Sequence, residues 1–389
     1  MKKKRKAKKG PIIVLLLILI LAIFGSLNAF SDVFKKEIEE DKPTELDKEE
    51  INRTVTFTFA GNVLINDRMW YDTSTEDNTY DFKYVFEDLK TTMKKSNINF
   101  YSQQSILGGK ELGISYYSNY NSPIDLGEAM VDIGFNMISL ANYHAYDKGI
   151  TGIMNSLDFW DKNNVVYSGT SISEEKRNSN NIITKNNIKI GLLAYTMGTD
   201  TVFNESYEIN VYDKEIVKSD VETLKEKTDI IIVSMDWGNT GLFEVNSTQK
   251  EIANYLSELG VDIVVGNTGY SIQPIEKINN TLILYSLGNL LSGHILADSR
   301  ISAVVDLKLN MSIKDDVKTI QFSDINVLLT YAYNNDTMNY RVIPFNKLTN
   351  QLYNYQEYYD KYKEVLTRNI ANINIYKIGE ENGDTKQES

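Results

Sequence analysis

Residues 229–293 read DIIIVSMDWGNTGLFEVNSTQKEIANYLSELGVDIVVGNTGYSIQPIEKINNTLILYSLGNLLSG, and this stretch decides the fold. Ile230 to Met235 and Val261 to Val265 are short, continuous, largely β-branched runs, the pattern of strands covered on both faces. Between them Ile252, Tyr255, Leu256 and Leu259 recur at helical spacing. Thr248 and Glu251 fit a capping box, and Gly260 stops the helix. The unit is therefore β-α-β. In parallel sheets ligands gather where strands end, which singles out Asp236, Trp237 and Gly238, then Gly266 to Tyr270.

The same stretch carries a resemblance. Trp237-Gly238, Gln273-Pro274-Ile275-Glu276 and Tyr285-Ser286-Leu287-Gly288-Asn289 resemble the CapA family of poly-γ-glutamate capsule biosynthesis proteins. The resemblance implies a fold similar to calcineurin-like metallophosphoesterases, a layered α/β sandwich of mixed sheets flanked by helices. The family pattern places histidines where this chain has Asp236, Thr268 and Tyr270. It also implies an Asp where Asn62 stands, a Glu at Gln104 and an Asn at Tyr143, while His144, Asp147 and Gly149 match.

Seven of the first nine residues are Lys or Arg, and Ile12 to Phe24 is unbroken apolar sequence. About 20 apolar residues cross a bilayer, so Pro11 to Phe30 is expected to be one transmembrane helix. The basic residues then stay cytoplasmic and the remainder lies outside the cell membrane. A cleaved secretory signal is the alternative, disfavoured by Leu27 where a small residue should precede cleavage after Ala29. The expected organisation is a basic tail (1–10), an anchor (11–30), a charged linker (31–53), the CapA-like domain (54–295), a β-rich extension of that domain with a helix (296–376) and a disordered tail (377–389).

The formal net charge is −12, and setting aside the basic amino terminus makes the rest more acidic still. Such a surface repels nucleic acid, and it repels polyanions as well. With no cysteine, thiolate catalysis, disulfides and cysteine metal sites are excluded.

Further strands are expected at Thr54 to Ala60, ended by a Gly61-Asn62 turn, at Ile98 to Tyr101, Asn136 to Ala141 and Val165 to Gly169. Ile182 to Thr184 and Ile188 to Tyr195 flank Asn186-Asn187 as a hairpin. Helices are expected over Asp81 to Lys95, from Pro123 to Gly134, from Ile153 through Trp160 and over Glu215 to Lys227. Ile301 to Leu309, Thr319 to Tyr331 and Tyr340 to Phe345 read as antiparallel strands, and Tyr355 to Val365 as a helix.

Two-metal phosphoesterase chemistry needs several carboxylates and imidazoles around a cation pair. Here the corresponding positions are Asn62, Gln104, Tyr143, His144, Asp236, Thr268 and Tyr270, expected together at the ends of the strands of one sheet. Replacing Asp by Asn and Glu by Gln preserves shape while removing charge, as a cleft without cations requires. No cofactor is therefore expected, and at most one weak ion at His144 and Asp236. The leading reading is a membrane-anchored pseudoenzyme that binds or scaffolds capsule synthesis machinery or a cell-surface polymer. A hydrolase or transferase using Asp236 and His144 is the first alternative, and a surface interaction module unrelated to polymer synthesis the second. His144 also reads as a hydrogen-bonded residue holding its strand end. Asp236 with Glu244 or Glu276 would be the glycosidase pair.

Overall fold

The computed structural model describes residues 14–16, 18–27, 50–93, 96–238, 243–267, 270–315, 317–336 and 338–379. The chain divides into two units, Met1–Glu50 and Ile51–Ser389. In the first, residues 14–16 and 18–27 are helical and exposed. Both ends of the expected span Pro11 to Phe30 lie outside the described residues, and among those described no helix is long and apolar enough to cross a membrane.

The second unit is a mixed α/β fold. Its strands are β1 (Ile51–Leu64), β2 (Ile98–Gln103), β3 (Met137–Ser139), β4 (Val166–Ser168), β5 (Ile182–Lys185), β6 (Ile188–Thr196), β7 (Ile230–Asp236) and β8 (Ile263–Asn267). They continue with β9 (Ile275–Ile278), β10 (Thr281–Leu284), β11 (Asn289–Ser292), β12 (Ile301–Lys314), β13 (Val317–Asn335), β14 (Met338–Pro344) and β15 (Ile373–Ile375). Among the described residues these make two sheets. One runs β14-β13-β12-β1-β2-β3-β4, with β11 on β1 and β15 on β13; the other runs β5-β6-β7-β8-β10-β9. In the second sheet β6, β7, β8 and β10 are mutually parallel, with antiparallel edges β5 and β9.

Side-chain alternation sets the layers. On β7, Ile230 and Ile232 join Phe57, Phe59, Phe100 and Leu192 in the core between the sheets. Ile231 and Val233 point the other way, onto Val217, Val221, Ile252 and Leu256 of the helices Lys214–Lys225 and Ser247–Glu258. The outer face of the first sheet packs Tyr101 and Ile138 against Leu126, Met130, Ile153 and Trp160 of the helices Ile124–Ile133 and Gly149–Lys162. The order is helix, sheet, sheet, helix.

Several expectations change. The cap of Ser247–Glu258 is Asn246 with Gln249, rather than Thr248 with Glu251. Gln249 is fixed there because its amide also donates to buried Gln273 at 2.7 Å. Gly61-Asn62 does not end its strand. β1 begins at Ile51, paired with Ile313 of the long β12, and runs through Asn62 to Leu64. Gly61 allows this because a Cβ there would sit 2.1 Å from the Gly288 carbonyl oxygen, which accepts the Asn62 N–H at 3.0 Å. The expected helix over Asp81 to Lys95 is a 3₁₀ turn at Lys83–Leu89 followed by the short helix Lys90–Met93. At the carboxyl end β15 adds to β13, and the Gly379 N–H donates to Asn346, so 377–379 belong to the packed chain. The rest of the expected tail, 380–389, lies outside the described residues.

Candidate functional site

Of the expected site residues, Asn62 lies near the end of a strand of one sheet, Gln104, Tyr143 and His144 follow strands of that sheet, and Asp236 ends a strand of the other, so the cleft is walled by two sheets rather than one. Asn62 on β1 and Asn289 on β11 face each other in register, and Gln104 follows β2. All three are buried. The Asn62 amide donates to Asn289 Oδ1 at 3.1 Å, and the Gln104 amide donates to Ser102 Oγ at 2.9 Å and reaches Asn62 Oδ1 at 3.5 Å. Asn289 in turn donates to the Ser299 carbonyl at 2.8 Å. Neighbouring Gln103 is used elsewhere, accepting from the Tyr101 hydroxyl and donating to the Ser105 carbonyl.

The loop after β3 carries Tyr143 and His144. Asn142 braces it, donating to the Gln103 and Leu140 carbonyls and accepting the His144 N–H at 2.8 Å. His144 Nδ1 lies 3.0 Å from Asp147 Oδ2, whose carboxylate also takes the Tyr120 N–H. The Asp147 side chain is buried, and its Oδ1 has no hydrogen-bond partner among the described residues. Such a pair fixes the ring and favours the tautomer with its proton on Nδ1. Tyr120 meets the His144 ring edge-on at 4.6 Å between centroids, and Tyr143 does so at 5.3 Å.

The second sheet brings Asp236 from the end of β7. It is buried; Oδ2 accepts the Tyr143 N–H at 3.2 Å and Oδ1 accepts the Gly238 N–H at 3.1 Å. Tyr143 projects outward, its hydroxyl 3.3 Å from Asp200. Thr268 lies outside the described residues. Tyr270 stacks on His294 with centroids 5.8 Å apart. Burial, then the charge of Asp236, raises its phenol pKa. Burial, then Tyr270 and Asp147, pushes the Tyr120 phenol up to about 12. Both rings are thus neutral hydrogen-bonding groups at ordinary pH.

Sequence reading missed Tyr120, which carries no motif, and gave His294 no role in the cleft. Asn267 falls within the Gly266 to Tyr270 segment that the strand end singles out. Asn267 is buried beside Asp236 in the strand register, donates to Ser234 Oγ at 2.6 Å, and leaves Oδ1 without a partner among the described residues. The glycosidase pair does not assemble: Glu244 is exposed and bonded to Arg368, and Glu276 lies on the edge strand β9.

Among the described residues no three His, Cys, Asp or Glu side chains come close enough to hold a metal. The carboxylate of Asp236 is engaged by backbone N–H groups, and the β1, β2 and β11 positions present mutually bonded amides. Amide oxygens are weak ligands and supply no charge, so the described members of this set do not fit a dinuclear cation centre.

The family model for the bacterial capsule synthesis protein PGA_cap matches residues 56–294, which span the strands and loops just described. The chain belongs to this family. A PGA biosynthesis protein CapA of Bacillus subtilis (strain 168) is 29% identical over 224 residues, 54% of this chain and 59% of that protein. A capsule biosynthesis protein CapA of Bacillus anthracis is 23% identical over 325 residues, 79% of this chain and 74% of that one. The match therefore spans under two thirds of the Bacillus subtilis relative. A solved Staphylococcus aureus structure, described as a 5′-nucleotidase in complex with alpha-ketoglutarate, aligns with a TM-score of 0.40 at 14% identity. It covers 70% of this chain and 54% of that one, a likeness that fixes neither fold family nor function.

Proposed function

We propose that this PGA_cap family member is a membrane-anchored, extracellular protein of cell-surface polymer biosynthesis that binds or scaffolds rather than catalyses. Its layered architecture is taken as a metallophosphoesterase-type sandwich whose cation centre has been lost. The observation that carries this is the run of buried side chains in which the amides of Asn289, Asn62 and Gln104 and the Ser102 hydroxyl hydrogen-bond to one another. A cation pair drawn into this cleft would have to break those bonds and gain little charge in return. The apolar run Ile12 to Phe24 behind its basic residues supports the anchor and the outward orientation. Partners are then the capsule synthesis machinery or the polymer itself.

The test is the metal content of the whole chain, purified in detergent, soaked in manganese or zinc and desalted. Well under two metals per chain, with no hydrolysis of a generic phosphodiester, is the expected result. Stoichiometric uptake of two metals would overturn the reading.

A second reading, a hydrolase or transferase using His144 and Asp236, is favoured by the His144–Asp147 pair, which leaves Nε2 as the ring's proton acceptor. His144→Gln would abolish such activity, with a melt run alongside to separate that loss from any weakening of the buried His144–Asp147 contact.

A further inference from the structure

We propose that the tyrosine-lined cavity beside the amide cluster is a binding subsite for a neutral pyranose unit of a surface glycan. The cavity, about 390 Å³, opens between the end of β1, the loop carrying Tyr116, Tyr117 and Tyr120, and the segment after β11. Its walls are those three rings with Tyr270 and His294. Rigid aromatic faces next to polar edges suit a ligand that is itself flat and apolar on one face and polar around its rim. A pyranose ring has that form, with axial C–H bonds on its faces and hydroxyls at its edge. Asp67 and Arg68 line the same cavity and supply an acceptor and a donor for such hydroxyls, while Asn66, also in the lining, caps the helix Asp67–Thr73 through the Met69 N–H.

Charge decides against the other ligands. Arg68 is the cation lining the cavity among the described residues, and Asp67 beside it cancels it. Behind the Tyr120 and Tyr270 rings stand the carboxylates of Asp147 and Asp236. A chain of γ-linked glutamates would bring one negative charge per residue into this acidic surrounding and is repelled. A small cation would meet Arg68 at the entrance. An uncharged ligand has no such cost.

The aromatic edge is also open to solvent in a way the core is not. Tyr117 is 78% exposed and Ile295 88%, Tyr116 is exposed beside them, and half-buried Trp70 backs Tyr116 at 5.9 Å. Large apolar groups exposed together at a cavity mouth mark an interaction site. They extend the platform beyond one sugar, as binding to a polymer requires.

This inference rests on the binding reading above only in taking the cleft to hold a polymer, and the two fail separately. Metal uptake sinks the first without touching sugar binding, and absence of sugar binding sinks the second in a metal-free protein. The whole chain, in a detergent that contains no sugar, is titrated with cellotetraose, maltotetraose, chitotetraose and a γ-linked glutamate tetramer. Tryptophan fluorescence, compared with that of a Trp70→Phe variant to isolate Trp70 from Trp160 and Trp237, reports on the aromatic edge, and saturation-transfer NMR identifies the bound ligand protons. At least one neutral tetrasaccharide should saturate the signal while the glutamate tetramer does not. Tyr117→Ala, at an exposed position that leaves folding intact, should weaken binding by about tenfold, and Tyr117→Phe should retain it. Tyr270→Ala should weaken it further. Failure of all three tetrasaccharides to bind, stronger binding of the glutamate tetramer, or equal affinity in Tyr117→Ala would overturn the proposal.

Discussion

The carboxylate of Asp236 accepts the backbone N–H of Tyr143 across the cleft at 3.2 Å, tying the end of β7 in one sheet to the loop after β3 in the other. Its second oxygen holds the Gly238 N–H. Asp236→Ala therefore leaves two backbone donors to find new partners and opens the seam between the sheets. An unmet buried donor costs about 1–3 kcal/mol, and Gly238 is exposed enough for water to serve its N–H, so urea unfolding should show a loss of at most about 1–3 kcal/mol, set mainly by the Tyr143 N–H. Asp236→Asn, which can accept but carries an amide N–H toward one donor, should fall between. Unchanged stability in Asp236→Ala would mean that the contact does not hold the cleft together.

Asn62→Asp is the single reversion toward the family pattern, and the structure predicts that it harms the protein. Asn62 is buried and donates to Asn289 Oδ1, so a carboxylate would set oxygen against oxygen with no cation nearby. An uncompensated buried charge costs about 3–5 kcal/mol. Burial raises the pKa of the new carboxyl, so the loss should be largest at neutral pH and shrink on acidification, where the protonated group can donate to Asn289. Thermal melts at acid and neutral pH check this, and millimolar manganese should not restore the melting temperature. Changing Asn62→Asp, Gln104→Glu, Asp236→His, Thr268→His and Tyr270→His together should instead confer metal uptake, because strand ends already place the first three positions at one cleft.

The contrast between these two residues shows what could be read from the chain. The strand ending in Asp236 was legible because Ile230 to Met235 is a local pattern, as were the Asn186-Asn187 hairpin, with φ of 51° and 60°, and the stop at Gly134, with φ of 112°. Asn62 looked like the end of a strand because Gly-Asn is a turn signal in isolation. What keeps it extended is the Gly288 carbonyl, more than two hundred residues later in sequence, and no local pattern encodes that contact. The choice between one sheet and two is non-local in the same way, since buried parallel strands read alike in either.

The site itself divides similarly. Residues that follow strand runs were found through the framework around them. Tyr120 and the role of His294 were not, because their place in the cleft depends on how loops from different parts of the chain meet. The cap at Asn246 and Gln249 shows the same limit at short range. Two overlapping matches to one pattern were available, and the bond from Gln249 to Gln273 selects between them.

If the apolar segment spans the membrane with its basic residues inside, the unit from Ile51 onward is exposed to solvent outside the cell. Protease added to intact cells should then remove that unit and leave a membrane-bound stub of the amino terminus. A soluble mature protein beginning near Phe30 would instead show cleavage of a signal, and full protection of the chain would place it inside.

Among the described residues, Asp262 contributes to the pH dependence of stability in the acid-to-neutral range. Asp262, at the turn into β8, accepts the Ile231 N–H at 2.8 Å while its own N–H donates to the Ile231 carbonyl. Burial pushes its carboxyl up to about 6, against the pull of that bond and of Lys318 and Lys225. In the unfolded chain an Asp titrates near about 3.9. The folded state therefore holds a proton that the unfolded state has released, and the stability this brings is complete below about pH 4. It is lost as pH rises through about 6 and changes little above about 7. Asp262→Asn keeps an acceptor for Ile231 and cannot ionise, so it should escape the loss. The melting temperature of the variant minus that of the unmodified protein should climb between about pH 4 and about pH 7 and then level off. The rise should correspond to on the order of 2 kcal/mol. A flat difference across that window would place the Asp262 carboxyl near its unfolded value, and a falling one would mean that the two lysines outweigh burial.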